Sequence, residues 1–182
     1  MDDLSREIND VQQYALNSIA VVKSALSQMG IEDENILYRV KSEQSIREKI
    51  ELWKQRTPYI TEQELLHSIG DIAALTVVTD SIDDATSLLP LINERMNRLG
   101  LHNSRVVLHL NDNTPTKYNG VLSFYQAGDT VRFEIQITDN KNLEIRESTH
   151  DEFRVIKYRS VRETTDEIQG KALHLKACGY NL

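Results

Sequence analysis

The sequence predicts one α/β (α+β) domain built on a mixed, largely antiparallel sheet flanked by helices. Three observations predict it. Segments of helical and strand periodicity follow one another in the order α-β-α-β-α-β-β-β-α. One stretch, "IAALTVVTD" from Ile72, is a near-continuous apolar and β-branched run, the mark of a central buried strand. Finally, "VLSFYQ" and "TVRFEIQI" flank a short turn at Ala127, Gly128 and Asp129, which makes a β-hairpin and therefore an antiparallel pair.

Taken in order, Leu4, Ile8, Val11, Ala15, Ile19, Val22, Leu26 and Met29 recur at helical spacing, with Gly30 as a stop. "ENILYRVK" reads as a short strand. Ser42 then caps a helix whose apolar stripe is Ile46, Ile50 and Trp53, and Pro58 ends that segment. "TEQE" from Thr61 has the capping-box pattern for a short helix through Leu66. The buried strand from Ile72 follows. Residues 82–99 form a helix with Ile82, Ala85, Leu89, Ile92, Met96 and Leu99 inward, closed by Gly100. "RVVLHL" is a strand, "NDNTPTKYNG" a loop, and the hairpin comes next. From about Leu143 to Cys178 the pattern is mainly helical.

At 182 residues the chain has the size of one ordinary domain. Apolar residues make up 40% and charged residues 27%, a globular composition. Lysine and arginine total 21 against 28 acids, a formal charge of −7. Such a chain has no overall attraction for nucleic acid or anionic membrane, so a polyanion must meet a local concentration of positive charge. The single cysteine, Cys178, excludes an internal disulfide and a cysteine-based metal cluster. No apolar run approaches ~20 residues, and the start "MDDLSREIND" is too acidic for a signal peptide. The expectation is a soluble cytoplasmic protein with no membrane partner; a homo-oligomer is compatible with it.

In "TVRFEIQI", alternation puts Val131, Phe133, Ile135 and Ile137 on one face and Arg132, Glu134 and Gln136 on the other. A mid-strand glutamate implies a face that is either solvated or functional. Asp71, at the head of the most apolar strand, either caps a turn, pairs with a lysine, or joins Glu134 in holding Mg²⁺, which takes one or two carboxylates plus water and phosphate. "RVKSEQSIREK" places Ser45 and Lys49 on one helix face, with Arg39 and Lys41 arriving from the preceding strand at period two. This is either a solvated charge run or a phosphate cradle around a helix N-terminus. His67, His102, His109 and His174 show no metal spacing, no Walker-type loop occurs, and Cys178 has no visible base beside it.

These pieces together resemble the synthetase domain of the RelA/SpoT family, whose members move the pyrophosphate of ATP onto the 3′-hydroxyl of a guanine nucleotide. "RVKSEQSIREK" looks like the family's ATP grip, "DIAALTVV" sits where its metal aspartate stands, and "KYNGVLS" resembles its acceptor loop. "EIQI" matches the strand with its second acid, and "ESTHDEFRVIKY" resembles its closing helix, with Glu147, His150 and Tyr158. The resemblance implies a nucleotidyltransferase-like fold in which Arg39, Lys41, Ser45 and Lys49 hold ATP, with Gln136 beside it and Arg39 stacked on adenine. It makes Asp71 and Glu134 the catalytic, Mg²⁺-binding pair. It assigns the acceptor to Lys117, Asn119, Gly120, Ser123, Glu147 and His150. The chain then divides into an N-terminal helix over 1–30, a core over 38–158 and a C-terminal helical tail over 159–182.

The chain departs from the family pattern in four places. Leu75-Thr76 replaces isoleucine-arginine, Val121 replaces the tyrosine that stacks on guanine, Tyr125 replaces a histidine, and Thr138 replaces an arginine. The donor side is retained and the acceptor side is eroded. An aromatic stacking platform is worth ~1–3 kcal/mol per base. The implied activity is therefore pyrophosphate transfer from ATP to GDP or GTP, giving (p)ppGpp. An adenine nucleotide or the 3′-end of tRNA, as in toxin relatives, is the alternative acceptor, though the acidic chain argues against tRNA. A nucleotide-binding regulatory module that has lost catalysis is the reading from a different class.

Overall fold

The computed structural model describes residues 2–109, 119–127 and 131–148. The turn expected at Ala127 to Asp129 lies largely outside these residues. The helical reading beyond Ser148, including the tail over 159–182, lies outside them entirely. The elements are α1 (Asp3–Ser27), β1 (Ile36–Val40), α2 (Glu43–Arg56), α3 (Glu62–Ser68) and β2 (Ala73–Thr79). They continue with α4 (Ile82–Arg98), β3 (His102–His109), β4 (Gly120–Ala127), β5 (Val131–Asp139) and a helix α5 over residues 140–148.

Local chemistry sets the boundaries. The side chains of Asp2, Ser42, Thr61 and Ser81 accept hydrogen bonds from the first turns of α1, α2, α3 and α4. At α3 the full capping box forms between Thr61 and Glu64. Gly30 and Gly100 follow α1 and α4 with φ of +87° and +75°, left-handed values that a side chain would strain.

The sheet order is β1-β2-β5-β4-β3. The β2–β5 pair is parallel and the other three pairs are antiparallel, so the sheet is mixed and largely antiparallel. One face carries Leu75 and Val77 from β2, Phe133, Ile135 and Ile137 from β5, and Val121 and Tyr125 from β4; all are buried. These residues form one core with Ile8, Ile19, Val22 and Leu26 of α1 and Ala85, Ile92 and Met96 of α4. Both helices therefore cover the same side. The opposite side carries Arg39, Glu134 and Gln136 among Ala74, Thr76, Leu122 and Phe124. No helix among the described residues is long and apolar enough to cross a membrane.

Candidate functional site

Residues paired across neighbouring strands share a face, so the register locates the site. Arg39 of β1 pairs with Ala74 of β2, Ala74 with Glu134 of β5, and Glu134 with Phe124 of β4. Two residues further on, Thr76 pairs with Gln136 and Gln136 with Leu122. Arg39, Glu134 and Gln136 are thus on the face opposite α1 and α4. That face is not solvated at its centre: Glu134 is 7% exposed and Gln136 4%. The solvated alternative for this strand is overturned. Burial raises the carboxyl of Glu134 above the ordinary glutamate value, and the like charge of Asp71 adds to it. Arg39, Arg146 and Lys41 pull it the other way.

Asp71 stands in the turn before β2, between two lysines. Lys49 Nζ donates to Oδ1 at 2.7 Å and Lys41 Nζ meets Oδ2 at 3.0 Å. Burial alone would raise its pKa, but the two ammonium charges and their hydrogen bonds override this and hold it at about 2. Lys41 is pushed below the usual lysine value, because burial outweighs the attraction of Asp71. Its position is fixed by the backbone: Lys41 N–H donates to Ile72 C=O at 2.8 Å, and the Gln12 side chain of α1 donates to Lys41 C=O at 2.8 Å. Lys49 also lies over the Trp53 ring, 5.1 Å from its centroid. Ser45 sits in the first turn of α2, its N–H on Ser42 Oγ at 3.3 Å and its hydroxyl accepting from Ser42 at 3.0 Å. The lysine pairing anticipated for Asp71 is present, and the charges of Asp71 and Glu134 act on each other.

Local sequence missed Arg146. It rises from α5 to donate from one terminal nitrogen to Thr76 Oγ1 at 3.2 Å and to Gln136 Oε1. Thr76 and Gln136 are neighbours across the parallel pair, so the guanidinium spans both strands. The only signal in the sequence was the arginine expected and absent at position 76, whose place is approached in space from another element. Among the described residues, Arg39, Lys41, Lys49 and Arg146 act on Asp71 and Glu134, four cations against two acids and so a local positive excess in an acidic chain.

The expected acceptor residues are only partly brought here. Lys117, His150 and Tyr158 lie outside the described residues. Asn119 and Gly120 are pinned at the start of β4: Asn119 N–H donates to Asn142 Oδ1 at 2.9 Å, and Thr138 Oγ1 donates to Asn119 C=O at 2.9 Å. Thr138, which stands for a family arginine, is thereby used in holding this loop. Glu147 is exposed on α5 and pairs with Arg146. Ser123 is not brought to the face of Glu134. It is fully buried and pairs with Ile135, which puts it on the core side, so the structure does not support its expected place against substrate. Tyr125 shares that side; its ring stacks on Phe133 at 5.4 Å and its hydroxyl donates to Asn93 Oδ1 at 2.5 Å.

Val121 is also on the core side, between Leu108 and Ile137. Restoring the family tyrosine there should not rebuild a stacking platform. Val121→Tyr is expected to lower stability by about 1–3 kcal/mol through overpacking, read by denaturant unfolding, with no gain in GDP affinity. A tighter GDP complex would place residue 121 on the other face.

Two carboxylates with coupled charges fit a magnesium ion, which completes its shell with water and phosphate oxygens. Among the described residues no group of three or more His, Cys, Asp or Glu side chains gathers that could hold an ion, and both oxygens of Asp71 are engaged by lysines.

Solved structures of known proteins share the architecture. A GTP pyrophosphokinase family protein from Streptococcus pneumoniae superposes with a TM-score of 0.62 at 18% identity, over 98% of this chain and 90% of that one. Small alarmone synthetase 1 from Bacillus subtilis, bound to its product pppGpp, gives 0.60 at 17% identity, over 96% and 90%. The fold is that of the RelA/SpoT synthetases. A chain from the complex between the Type VI effector Tas1 and its immunity protein gives 0.52 at 15% identity, over 94% of each chain. No family model matches the sequence, and no curated protein sequence matches it. The RelA/SpoT-type fold is therefore established by shape, at overall identities of 17–18%.

Proposed function

We propose that the chain is a pyrophosphokinase-like transferase that moves the pyrophosphate of ATP to the 3′-hydroxyl of a second nucleotide, GDP or GTP in the leading reading. The observation that carries this is Glu134. A carboxylate buried in mid-strand is costly, and the charges that act on it, Asp71 and the three cations Arg39, Arg146 and Lys41, support a role in handling phosphate charge. The likeness to a synthetase bound to pppGpp supports the same reaction class.

In this reading Lys41, Lys49 and the N-terminal turn of α2 at Ser45 hold the triphosphate, and Arg39, exposed on the edge strand, stacks on the base. Asp71 and Glu134 are the residues that would hold Mg²⁺, which neutralises charge on the phosphates when bound. The acceptor oxygen forms a bond to the β-phosphorus as the bond from that phosphorus to the α–β bridging oxygen breaks. AMP leaves, and the hydroxyl proton passes to a carboxylate oxygen of Glu134, whose proton affinity burial raises. The Asp71–lysine pairs suit this chemistry, because an arriving triphosphate offers both ammonium groups new anionic partners.

The test is nucleotide chromatography after incubation with ATP and GDP, GTP, ADP or tRNA, with and without Mg²⁺. AMP release together with a pyrophosphorylated acceptor is expected, and only with the metal. The likeness to a chain from the complex of an effector with its immunity protein supports the toxin-type alternative. A product from ADP alone would select an adenine nucleotide as its acceptor, and a product from tRNA alone would select RNA. ATP binding with no product from any acceptor would select the regulatory module, to which the core-facing Val121 and Ser123 lend support.

A further inference from the structure

We propose that Arg146 is a specificity-determining residue that selects the acceptor by its 5′-phosphates, making that acceptor a nucleoside di- or triphosphate rather than the end of an RNA chain. The inference rests on the transfer reading above and adds the residue that tells acceptors apart. A guanidinium offers five N–H donors in a fixed fork. Here the two uses of the fork are separated. One terminal nitrogen is anchored to the strands through Thr76 Oγ1 and Gln136 Oε1. The other edge, Nε and the second terminal nitrogen, meets Oε1 of Glu147 at 3.2 and 2.5 Å. That edge is the one that grips carboxylate or phosphate bidentately.

Glu147 thus occupies the place of an anion without being held there. Its side chain is 65% exposed against 18% for Arg146, and it meets the guanidinium through one oxygen only, so a phosphate carrying more charge and a second oxygen can take its place while the glutamate returns to water. Position decides which nucleotide supplies that phosphate. Along the parallel strands the lysines and Asp71 lie before Ala73, Glu134 is level with Ala74, and Arg146 reaches Thr76 and Gln136 beyond it. The lysines serve one polyphosphate. Arg146, on the far side of Glu134, is placed to meet the other.

Calorimetric titration tests this with one nucleotide at a time, so that no turnover intervenes. GDP, ADP, guanosine, a tRNA and ATP are titrated into the wild type and into Arg146→Ala, Arg146→Lys and Glu147→Gln. Arg146→Ala is expected to weaken GDP or ADP about 10- to 100-fold, the loss of one charge-assisted fork, and to leave guanosine unchanged. ATP should weaken less than about threefold. Arg146→Lys should recover part of the loss by restoring charge without the fork. Glu147→Gln should tighten GDP, whereas a glutamate that itself bound substrate would weaken it. Equal losses for GDP and guanosine, a loss confined to ATP, or wild-type binding of tRNA in preference to GDP would each overturn the proposal. None of these outcomes depends on turnover, so an inactive wild type would remove the transferase reading and leave this one to be judged on binding.

Discussion

Glu134→Gln is expected to lower pyrophosphate transfer by about 10²–10³-fold, the usual loss when one preorganised electrostatic group is removed from an active site. Stability should stay the same or rise. The amide keeps the volume of the side chain and removes a charge that burial disfavours. The sign follows from the raised carboxyl. A folded-state value above the unfolded one means that ionisation at neutral pH opposes folding, and glutamine removes that opposition. ATP affinity should fall less than turnover, since Arg39, Lys41, Ser45 and Lys49 remain. Chromatographic rates, thermal unfolding and ATP titration on the same preparation check all three statements. A variant that transfers pyrophosphate at the wild-type rate would show Glu134 to be a relic of the fold, and a variant that is inactive because it is unfolded would contradict the stability claim.

Asp71→Asn should act in the opposite direction on stability. The carboxyl is held at about 2 against an ordinary 3.8, a difference worth about 2 kcal/mol at neutral pH. Removing the acid leaves two ammonium groups together in a largely buried position, with the desolvation of Lys41 no longer opposed. A depressed acid contributes its full share above its unfolded pKa and loses it as pH falls through the folded value. The gap between wild type and variant in denaturant unfolding should therefore be constant from pH 7 to about 5 and close between about 4 and 2. A gap independent of pH would mean that Asp71 acts through shape instead of charge. Transfer should fall as well, because the variant loses half of the acid pair.

Much of the scaffold was legible because its signals are local. Ser42, Thr61 with Glu64, Gly30 and Gly100 act within a few residues of themselves, and each does in the structure what its position implies. The grouping of Arg39, Lys41, Ser45 and Lys49 was legible for the same reason, since "RVKSEQSIREK" is one strand end and one helix turn. The facing of β4 was not. "VLSFYQ" is apolar on both alternations, with Val121 and Tyr125 on one side and Leu122 and Phe124 on the other, so parity had no polar reference. Ser123 went to the core as a result. Arg146 was hidden by distance: its partners are 70 and 10 residues away, and the angle at which α5 returns over the sheet is written in no periodicity. The lysine partners of Asp71 lie 30 and 22 residues upstream (71 − 41 and 71 − 49), so pairing could be anticipated in kind without its identity.

The parallel pairing of β2 with β5 has a consequence in time. Ala74 and Glu134 meet across 134 − 74 = 60 residues of chain, whereas β3, β4 and β5 join as successive antiparallel neighbours. At a synthesis rate of ~5–20 residues per second, β2 emerges roughly 3–12 s before the strand that completes it. During that interval its most apolar edge has only β1 beside it, open to pairing with another chain. The late partner is also the strand that carries Glu134. The nascent chain therefore cannot bring Glu134 beside Ala74 and Arg39 until β5 arrives, so closing the sheet and grouping these residues are a single event.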